Sequence, residues 1–201
     1  MRVIAGTYRS RPLEAPRGTE TRPTSDRLRE TLFNVLAPRM EGARFADLYA
    51  GSGAVGVEAI SRGAEHVWFA EKAPAALAAI RGNLSKLKIG GGYSIEDRSV
   101  GKLLSSLAKA QRQLDIVFLD PPYEDADAYN GTLGLLGREH TGLLAPGAVV
   151  VVEHQKKAPL AERYGTLERT RVLKQGDAAL SFYTARVQGS GPEGPEDGDT
   201  D

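Results

Sequence analysis

The sequence predicts one α/β domain built on a mostly parallel β-sheet with helices on both faces. Short apolar segments alternate with segments of helical periodicity from residue 45 onwards, a pattern typical of parallel sheets buried between helices. The chain has 201 residues, of which 41% are hydrophobic and 26% are charged, so it can bury a core of its own. No apolar run approaches the roughly 20 residues of a membrane-spanning helix, and we expect no membrane partner.

The N-terminal part is predicted to be a basic hairpin extension, residues 1–20, ahead of a main domain at residues 21–187. The segments RVIAGTY and RPLEA supply its two arms. A helix is expected next, because Ser25 and its neighbours are good caps and apolar residues then recur at helical spacing until Pro38. Residues 188–201 contain five acids, no base and no aliphatic or aromatic residue, which predicts a disordered acidic tail.

The main domain alternates strands with helices. Strands are predicted at residues 45–49, 66–71, 93–97, 115–120 and 147–154, with a closing hairpin at about 166–174 and 178–187. Helices are predicted at residues 54–63, 74–87 and about 100–110, with a weaker, glycine-interrupted one before the fifth of these strands. Ligands of such sheets bind at the carboxyl ends of the strands, so functional residues are expected there.

The amino-acid composition excludes several kinds of catalytic and metal-binding site. The chain contains no cysteine, which excludes disulfides, thiolate metal sites and thiol nucleophiles. Its three histidines stand far apart, so no metal site is predicted. The first residues contain arginines but no sustained apolar stretch, which is unlike a secretory signal and favours a cytoplasmic location.

Arginine is concentrated at the front of the chain, although the formal net charge is zero. Residues 1–29 hold seven arginines and three acids. A guanidinium can fork onto phosphate oxygens or stack on a base, so this segment indicates a phosphate-bearing partner. A solvated basic hairpin without a ligand is the alternative interpretation.

A G-x-G-x-x-G sequence at residues 51–56 follows the first strand of the main domain and opens directly into a helix. Glycine allows a sharp turn and close approach of a ligand, and the start of a helix presents N–H groups, so a nucleotide-like cofactor is expected. Glu71 ends the next strand, where its carboxylate can accept both hydroxyls of a ribose. These features alone fit NAD as well as S-adenosylmethionine.

The fourth strand of the main domain runs into Asp120, Pro121, Pro122 and Tyr123. The prolines cannot donate to a sheet ladder, so they end the strand and stiffen the backbone that follows. The Asp120 carboxylate and the Pro121 carbonyl can accept the two hydrogens of an amine, while the Tyr123 ring stacks on a base. Such a site suits a planar base whose exocyclic amine faces an electrophilic methyl group.

Together these motifs resemble class I S-adenosylmethionine-dependent methyltransferases that act on exocyclic amines, whose signature is (D/N)-P-P-(Y/F). Residues 21–33, 47–59 and 117–123 are similar to the RsmD family, the 16S ribosomal RNA guanine-N2 methyltransferases, and the likeness spans about residues 2–186. It implies a Rossmann-like, seven-stranded sheet, S-adenosyl-L-methionine as cofactor, and 16S rRNA in the 30S subunit or its assembly intermediate as substrate. A monomer is the simplest expectation.

The resemblance also implies roles for individual residues. Those expected at the cofactor are Asp47, Gly51 and Gly53 at its methionine end, Glu71 at the ribose, Asp97 and Arg98 at the adenine, and Thr24 and Arg27 at the border with the substrate pocket. The catalytic set, which receives the guanine, is Asp120, Pro121, Pro122 and Tyr123. The candidate contacts to RNA phosphates are Arg9, Arg11, Arg22 and Arg29.

Three other functions remain open at this point. A DNA or RNA methyltransferase of adenine N6 or cytosine N4 would share the amine chemistry, although one small domain has little room for a DNA-reading module. An NAD-dependent oxidoreductase would explain the glycines and Glu71 but not residues 120–123. A non-catalytic RNA-binding protein would explain the arginines alone. Methylation of pyrimidine C5 through a thiolate adduct is excluded by the absence of cysteine.

Overall fold

The computed structural model describes residues 1–16 and 25–186 and contains one eight-stranded sheet. The strands are β1 Arg44–Leu48, β2 His66–Ala70, β3 Tyr93–Glu96, β4 Leu114–Leu119, β5 Leu144–Gln155, β6 Arg163–Tyr164, β7 Leu167–Gln175 and β8 Ala178–Ala185. Their order across the sheet is β3-β2-β1-β4-β5-β8-β7-β6. Strands β1 to β5 are parallel, and β6, β7 and β8 pair antiparallel.

The predicted α/β class is confirmed, but the predicted number of seven strands is wrong. The additional strand, β6, has only two residues and pairs with the start of β7. A segment this short has no alternation of apolar and polar residues, so periodicity cannot reveal it.

Five α-helices cover the sheet in the described part of the chain. They are α1 Asp26–Leu36, α2 Ala54–Ser61, α3 Pro74–Lys86, α4 Val100–Lys109 and α5 Ala126–Leu136, and a short 3-10 helix, Ala37–Arg39, follows α1. The Ser25 hydroxyl caps α1 by accepting from the Leu28 N–H at 3.1 Å. No helix within residues 1–16 and 25–186 is both long and apolar enough to cross a bilayer.

Two hydrophobic cores lie on the two faces of the sheet. Side chains alternate along a strand, so Phe45 and Ala46 of β1 belong to different cores. Helices α1, α2 and α3 cover the Phe45 face, and α4 and α5 cover the other. Both faces of the central strands are therefore dry, which explains the nearly continuous apolar runs of β4 and β5.

The N-terminal segment turns back on itself, as predicted, but its arms form a single antiparallel bridge between Arg2 and Pro12. It is held by the main domain: the Ile4 and Ala5 N–H groups donate to the buried Glu58 carboxylate on α2 at 2.7 and 3.0 Å. Buried Val3 also joins the core beneath α1 and α2. The segment is thus fixed along one side of α2.

Candidate active site

The carboxyl ends of β1 to β4 lie at one edge of the sheet because these strands are parallel. Two loops meet at this edge. The glycine loop, residues 49–53, joins β1 to α2, and the DPPY loop, residues 120–125, joins β4 to α5. Since β1 and β4 are neighbours, the two motifs lie side by side, and the Asp120 N–H donates to the Leu48 carbonyl at 3.3 Å.

The three glycines of the motif, Gly51, Gly53 and Gly56, have different structural roles. Gly51 and Gly53 have φ angles of 55° and 74°, which place both in the left-handed region that favours glycine. A Cβ added at Gly51 would meet nothing within 4 Å, so space is open beside the loop. A Cβ added at Gly56 would overlap the Phe69 ring, so this glycine lets α2 pack closely on β2.

Asp47 lies beneath the glycine loop. Its side chain is 1% exposed and accepts from the Gly56 N–H at 2.8 Å, which links the end of β1 to the start of α2. Burial raises the pKa of Asp47 to about 7, although this hydrogen bond acts in the opposite direction. The structure therefore assigns Asp47 a clamping role, and its direct contact with a cofactor stays a prediction.

Glu71 joins the end of β2 to the glycine loop. One carboxylate oxygen accepts from the Gly51 N–H at 2.9 Å, and the other accepts from the Lys72 and Ala73 N–H groups, both at 2.8 Å. The carboxylate is thus fixed at the expected strand end. Each oxygen has about two lone pairs, so ribose hydroxyls would share this carboxylate with backbone donors.

Asp97 and Arg98, predicted at the adenine, follow β3 and are exposed. The Arg98 guanidinium forks onto the Glu96 carboxylate with two contacts of 2.7 Å, which lowers the pKa of Glu96. The Asp97 carboxylate lies 3.9 Å from Arg81 on α3. Arg98 therefore has an intramolecular partner that the motif did not reveal, and an adenine contact stays a prediction for both residues.

The DPPY loop presents the four predicted catalytic residues at the end of β4. Pro121 is buried, Pro122 is exposed, and Asp120 and Tyr123 are half-buried. The Tyr123 hydroxyl donates to the Glu153 carboxylate of β5 at 3.3 Å. A carboxylate, a backbone carbonyl and an aromatic ring thus lie within four consecutive residues, a set able to bind an aromatic amine through its hydrogens and its ring face.

Sequence reasoning missed two residues behind this loop. The Tyr129 hydroxyl on α5 lies 3.2 Å from the Pro121 carbonyl oxygen and 3.0 Å from the Glu153 carbonyl oxygen. The Glu153 side chain is 4% exposed. A glutamate that directly follows the apolar run of β5 was an available signal, because buried carboxylates are rare unless they have partners.

One predicted phosphate contact is wrong. Arg29 is 0% exposed, and its Nη2 donates to the Arg2 carbonyl at 2.5 Å and to Asp26 Oδ1 at 3.0 Å. It falls on the same side of α1 as buried Leu28, Leu32 and Phe33. A fully buried guanidinium cannot reach an RNA phosphate, so Arg29 is structural.

The structure places the other arginines that were predicted to bind RNA or to border the cofactor pocket in different environments. Arg9 and Arg11 are exposed, as a phosphate contact requires. Arg27 is exposed on the first turn of α1 and lines a groove that contains none of Asp47, Gly51 or Glu71. Arg22 and Thr24 lie outside the described residues.

This groove, called the N-terminal groove below, has a volume of about 660 Å³. It lies between the N-terminal segment and α1, and its charged lining consists of Arg2, Arg9, Arg27, Arg62, Asp26 and Glu30. The Arg62 guanidinium is already paired with Glu58 at 2.7 Å. The lining has four positive and two negative groups, so it favours an anionic occupant.

Comparison with known proteins shows similarity along nearly the whole chain. A family model described as conserved hypothetical protein 95 matches residues 1–184. Ribosomal RNA small subunit methyltransferase D of Escherichia coli (strain K12) is 36% identical over 191 residues, covering 94% of this chain and 92% of that protein. The putative rRNA methyltransferase YlbH of Bacillus subtilis is 34% identical over 186 residues, covering 92% and 100%.

Comparison with a solved structure also shows similarity along nearly the whole chain. The putative methyltransferase yhhF from Escherichia coli has a TM-score of 0.76 and 34% sequence identity, and the match covers 94% of this chain and 99% of that chain. The similarity is therefore one of the whole domain, and it is not confined to the two short motifs.

Proposed function

This chain belongs to the RsmD family of ribosomal RNA methyltransferases, and we propose that it methylates the exocyclic N2 amine of a guanine in 16S rRNA, with S-adenosylmethionine as the methyl donor. One observation carries the proposal: the DPPY loop ends the strand next to the one that ends in the glycine loop. A site for an aromatic amine thus lies beside a site suited to a nucleotide-like cofactor.

The residues at the glycine loop fit S-adenosylmethionine. Open space beside Gly51 leaves room for a ligand against the backbone, and the fixed Glu71 carboxylate can accept from ribose hydroxyls. Asp97 and Arg98, at the end of β3, are our candidates for the adenine. When bound, this cofactor supplies an electrophilic methyl group on a sulfonium.

The DPPY loop would orient the substrate. The Asp120 carboxylate and the Pro121 carbonyl accept the two N2 hydrogens, which helps to localise a lone pair that is otherwise delocalised into the guanine ring. Tyr123 stacks on the base and offsets part of the cost of unstacking it, a few kcal/mol in a duplex and less in a loop. The proton that leaves N2 goes to Asp120 or to water. Catalysis here is mainly positioning.

The N-terminal groove would hold the RNA backbone. Arg9 and Arg11 remain our candidates for phosphate contacts, and we add Arg2, which lines the groove and is exposed. Arg27 lies in the same lining, so a phosphate contact suits it as well as the predicted border of the cofactor pocket. The groove is modest in size, and an assembled 30S subunit would complete the docking surface.

The proposal is tested by transfer of tritiated methyl from S-adenosylmethionine to 30S subunits and to naked 16S RNA from cells that lack this protein. Nucleoside analysis of the product is expected to show N2-methylguanosine, with faster transfer to 30S subunits. Label in adenine N6 or cytosine N4 would support methylation of an exocyclic amine but would show that guanine is not the substrate. No cofactor binding by calorimetry would overturn the proposal as a whole.

The groove is tested separately with Arg9→Glu. The Michaelis constant for 30S subunits is expected to rise. Its dependence on salt should weaken: the slope of its logarithm against the logarithm of the salt concentration should decrease by about 0.7–0.9 for each RNA phosphate that the protein no longer neutralises. The matched control is Arg138→Glu, an exposed arginine just after α5, which covers the opposite face of the sheet from α1. Equal effects of the two variants would remove the groove from the RNA interface.

A further inference from the structure

Two tyrosines and one buried glutamate connect the DPPY loop to the elements behind it. Tyr129 lies on the first turns of α5, close to the carbonyl oxygens of both Pro121 and Glu153. Glu153, on β5, accepts from the Tyr123 hydroxyl through its side chain. The loop is thus tied to a helix on one side and to a neighbouring strand on the other.

Backbone hydrogen bonds hold this loop at its two ends. The Asp120 N–H donates to the Leu48 carbonyl at 3.3 Å, and the Asp125 N–H donates to the Pro122 carbonyl at 2.9 Å. Between them, Pro121 and Pro122 have no N–H groups to donate. Proline restricts the φ of Pro121, and the following Pro122 confines its ψ to the extended region, which still leaves the direction of the Pro121 carbonyl a range of about 40°. The Tyr129 hydroxyl supplies a donor for that carbonyl from inside the protein.

The Tyr129 hydroxyl is suited to a donor role. Burial, and then the nearby Asp120 carboxylate, raise the pKa of Tyr129 above its usual value, so the proton stays on the oxygen. A hydroxyl has one proton, which it shares between two carbonyl oxygens at similar distances. A carbonyl has two lone pairs, so Pro121 can accept from Tyr129 and from a substrate amine at the same time.

We propose that Tyr129 and Glu153 are positioning residues for methyl transfer: Tyr129 fixes the direction of the Pro121 carbonyl, and Glu153 fixes the Tyr123 ring. The inference rests on the proposed function, since it concerns the groups that would bind the guanine. Neither residue is exposed enough to contact substrate directly. They act through the loop, and misplacement of reacting groups by about 1 Å can cost on the order of 100-fold in rate.

The first test is Tyr129→Phe, which removes one oxygen atom and keeps the ring in its core. The matched control is Tyr183→Phe, because Tyr183 is buried in the same core and its hydroxyl donates to the Ala161 carbonyl at 2.7 Å, away from the DPPY loop. We expect kcat to fall about 10- to 100-fold in Tyr129→Phe, with the Kd for S-adenosylmethionine unchanged. Both variants should show a similar decrease in thermal stability, and Tyr183→Phe should keep its kcat.

The second test compares Glu153→Gln with Glu153→Met. Gln retains an oxygen that can accept from the Tyr123 hydroxyl, whereas Met fills a similar volume without an acceptor of comparable strength. We expect Gln to keep most of kcat and Met to reduce it about tenfold or more. Equal reductions in the two variants, which both keep the volume of Glu153, would mean that neither its volume nor its hydrogen bond to Tyr123 accounts for the loss, and would overturn the role given to Glu153.

Hydrogen exchange of the amides of Tyr123, Glu124 and Asp125 separates a failure of this inference from a failure of the proposed function. It needs neither RNA nor cofactor. We expect faster exchange at these amides in Tyr129→Phe and no change in Tyr183→Phe. If the wild type methylates guanine while Tyr129→Phe keeps both its kcat and the exchange rates of these amides, the positioning role of Tyr129 is refuted. If exchange becomes faster in Tyr129→Phe but the wild type does not methylate guanine, only the proposed function fails.

Discussion

The glycine loop and the DPPY loop end neighbouring strands, yet they are held by different kinds of groups. Backbone N–H groups of the glycine motif donate to carboxylates: Gly56 to Asp47 and Gly51 to Glu71. The DPPY loop is held by tyrosine hydroxyls, through Tyr129 and Tyr123. Carboxylates suit the first loop because its glycines expose N–H donors. A hydroxyl donor suits the Pro121 carbonyl of the second loop, because the two prolines there have no N–H groups, while the loop's own Tyr123 hydroxyl donates to Glu153.

The difference predicts a separation of effects between the two loops. Changes at the glycine loop should act on cofactor affinity and on the stability of the fold. Changes at the DPPY loop should act on turnover, because this loop would contact the substrate.

The largest effect is expected for Asp120→Ala in the DPPY loop. Removal of the acceptor for the amine and its proton should lower kcat by about 10²–10⁴-fold, while calorimetry finds the same Kd for S-adenosylmethionine. Asp127→Ala, an exposed acid in the first turn of α5, is the control and should behave as the wild type. Undiminished turnover in Asp120→Ala would contradict the role of the loop.

Glu71→Ala should show the reverse pattern. Hydrogen bonds to a charged group contribute about 1.5–3 kcal/mol, so the Kd for S-adenosylmethionine should rise about 10- to 100-fold, measured by calorimetry. Part of this effect comes from releasing the Gly51 N–H. Glu65→Ala, an exposed glutamate just before β2, provides the control. An unchanged Kd would remove Glu71 from the cofactor site.

Gly56→Ala tests the packing beneath the glycine loop. The added Cβ would overlap the Phe69 ring, and overpacking of this kind typically costs about 1–3 kcal/mol of the free energy of unfolding. Gly82→Ala is the matched control, because Gly82 lies in α3 with nothing within 4 Å of an added Cβ. It should stabilise the protein by about 0.4–1 kcal/mol. Chemical denaturation measures both, and equal changes would contradict the close approach of α2 to β2.

The remaining effect concerns the pH dependence of stability. The pKa of Asp47 is about 7 in the folded protein and near its ordinary value of about 4 in the unfolded chain. The folded state therefore holds this proton more tightly, so the contribution of Asp47 to stability is greatest below pH of about 4 and falls as pH rises to about 7.

Asp47→Asn should remove this pH dependence, since Asn does not ionise and its side-chain oxygen can still accept from Gly56. At pH 8 we expect it to exceed the wild type by up to about 4 kcal/mol, because each of the roughly three pKa units between the unfolded and folded values corresponds to about 1.4 kcal/mol. At pH 4 the advantage should vanish. Thermal melts across this range measure it, with Asp127→Asn as the control, and parallel pH profiles would contradict the burial of a titrating Asp47.

The two loops also differ in how much of them can be predicted from the sequence. The glycine motif, Glu71 and the four residues of the DPPY motif are identifiable because each stands at the end of a strand that hydrophobic periodicity reveals. All of them lie at the carboxyl edge of the sheet, as predicted. Their assignment to cofactor and substrate remains a prediction.

The contacts that support the DPPY loop could not be predicted, although the glutamate that follows the four valines of β5 was a signal for Glu153 itself. Tyr129 lies in a helix that glycines made hard to place, and Glu153 lies in a neighbouring strand 30 positions after Tyr123, so their contacts exist only once the sheet has formed. Arg29 shows the opposite error. Its charge indicated an exposed contact, but its place on the side of α1 that carries Leu32 and Phe33 decided its burial.

The position of β8 governs the order in which the domain can be completed during synthesis. It is the last strand in the part of the chain that the structure describes, yet it lies between β5 and β7, so it is internal to the sheet. Until residues 178–185 leave the ribosome, the open edge of β5, with its four consecutive valines, has no partner strand there. A nascent chain that stalls before this point carries an apolar unpaired edge, which is prone to aggregation. Insertion of β8 therefore protects the part of the sheet that is synthesised before it.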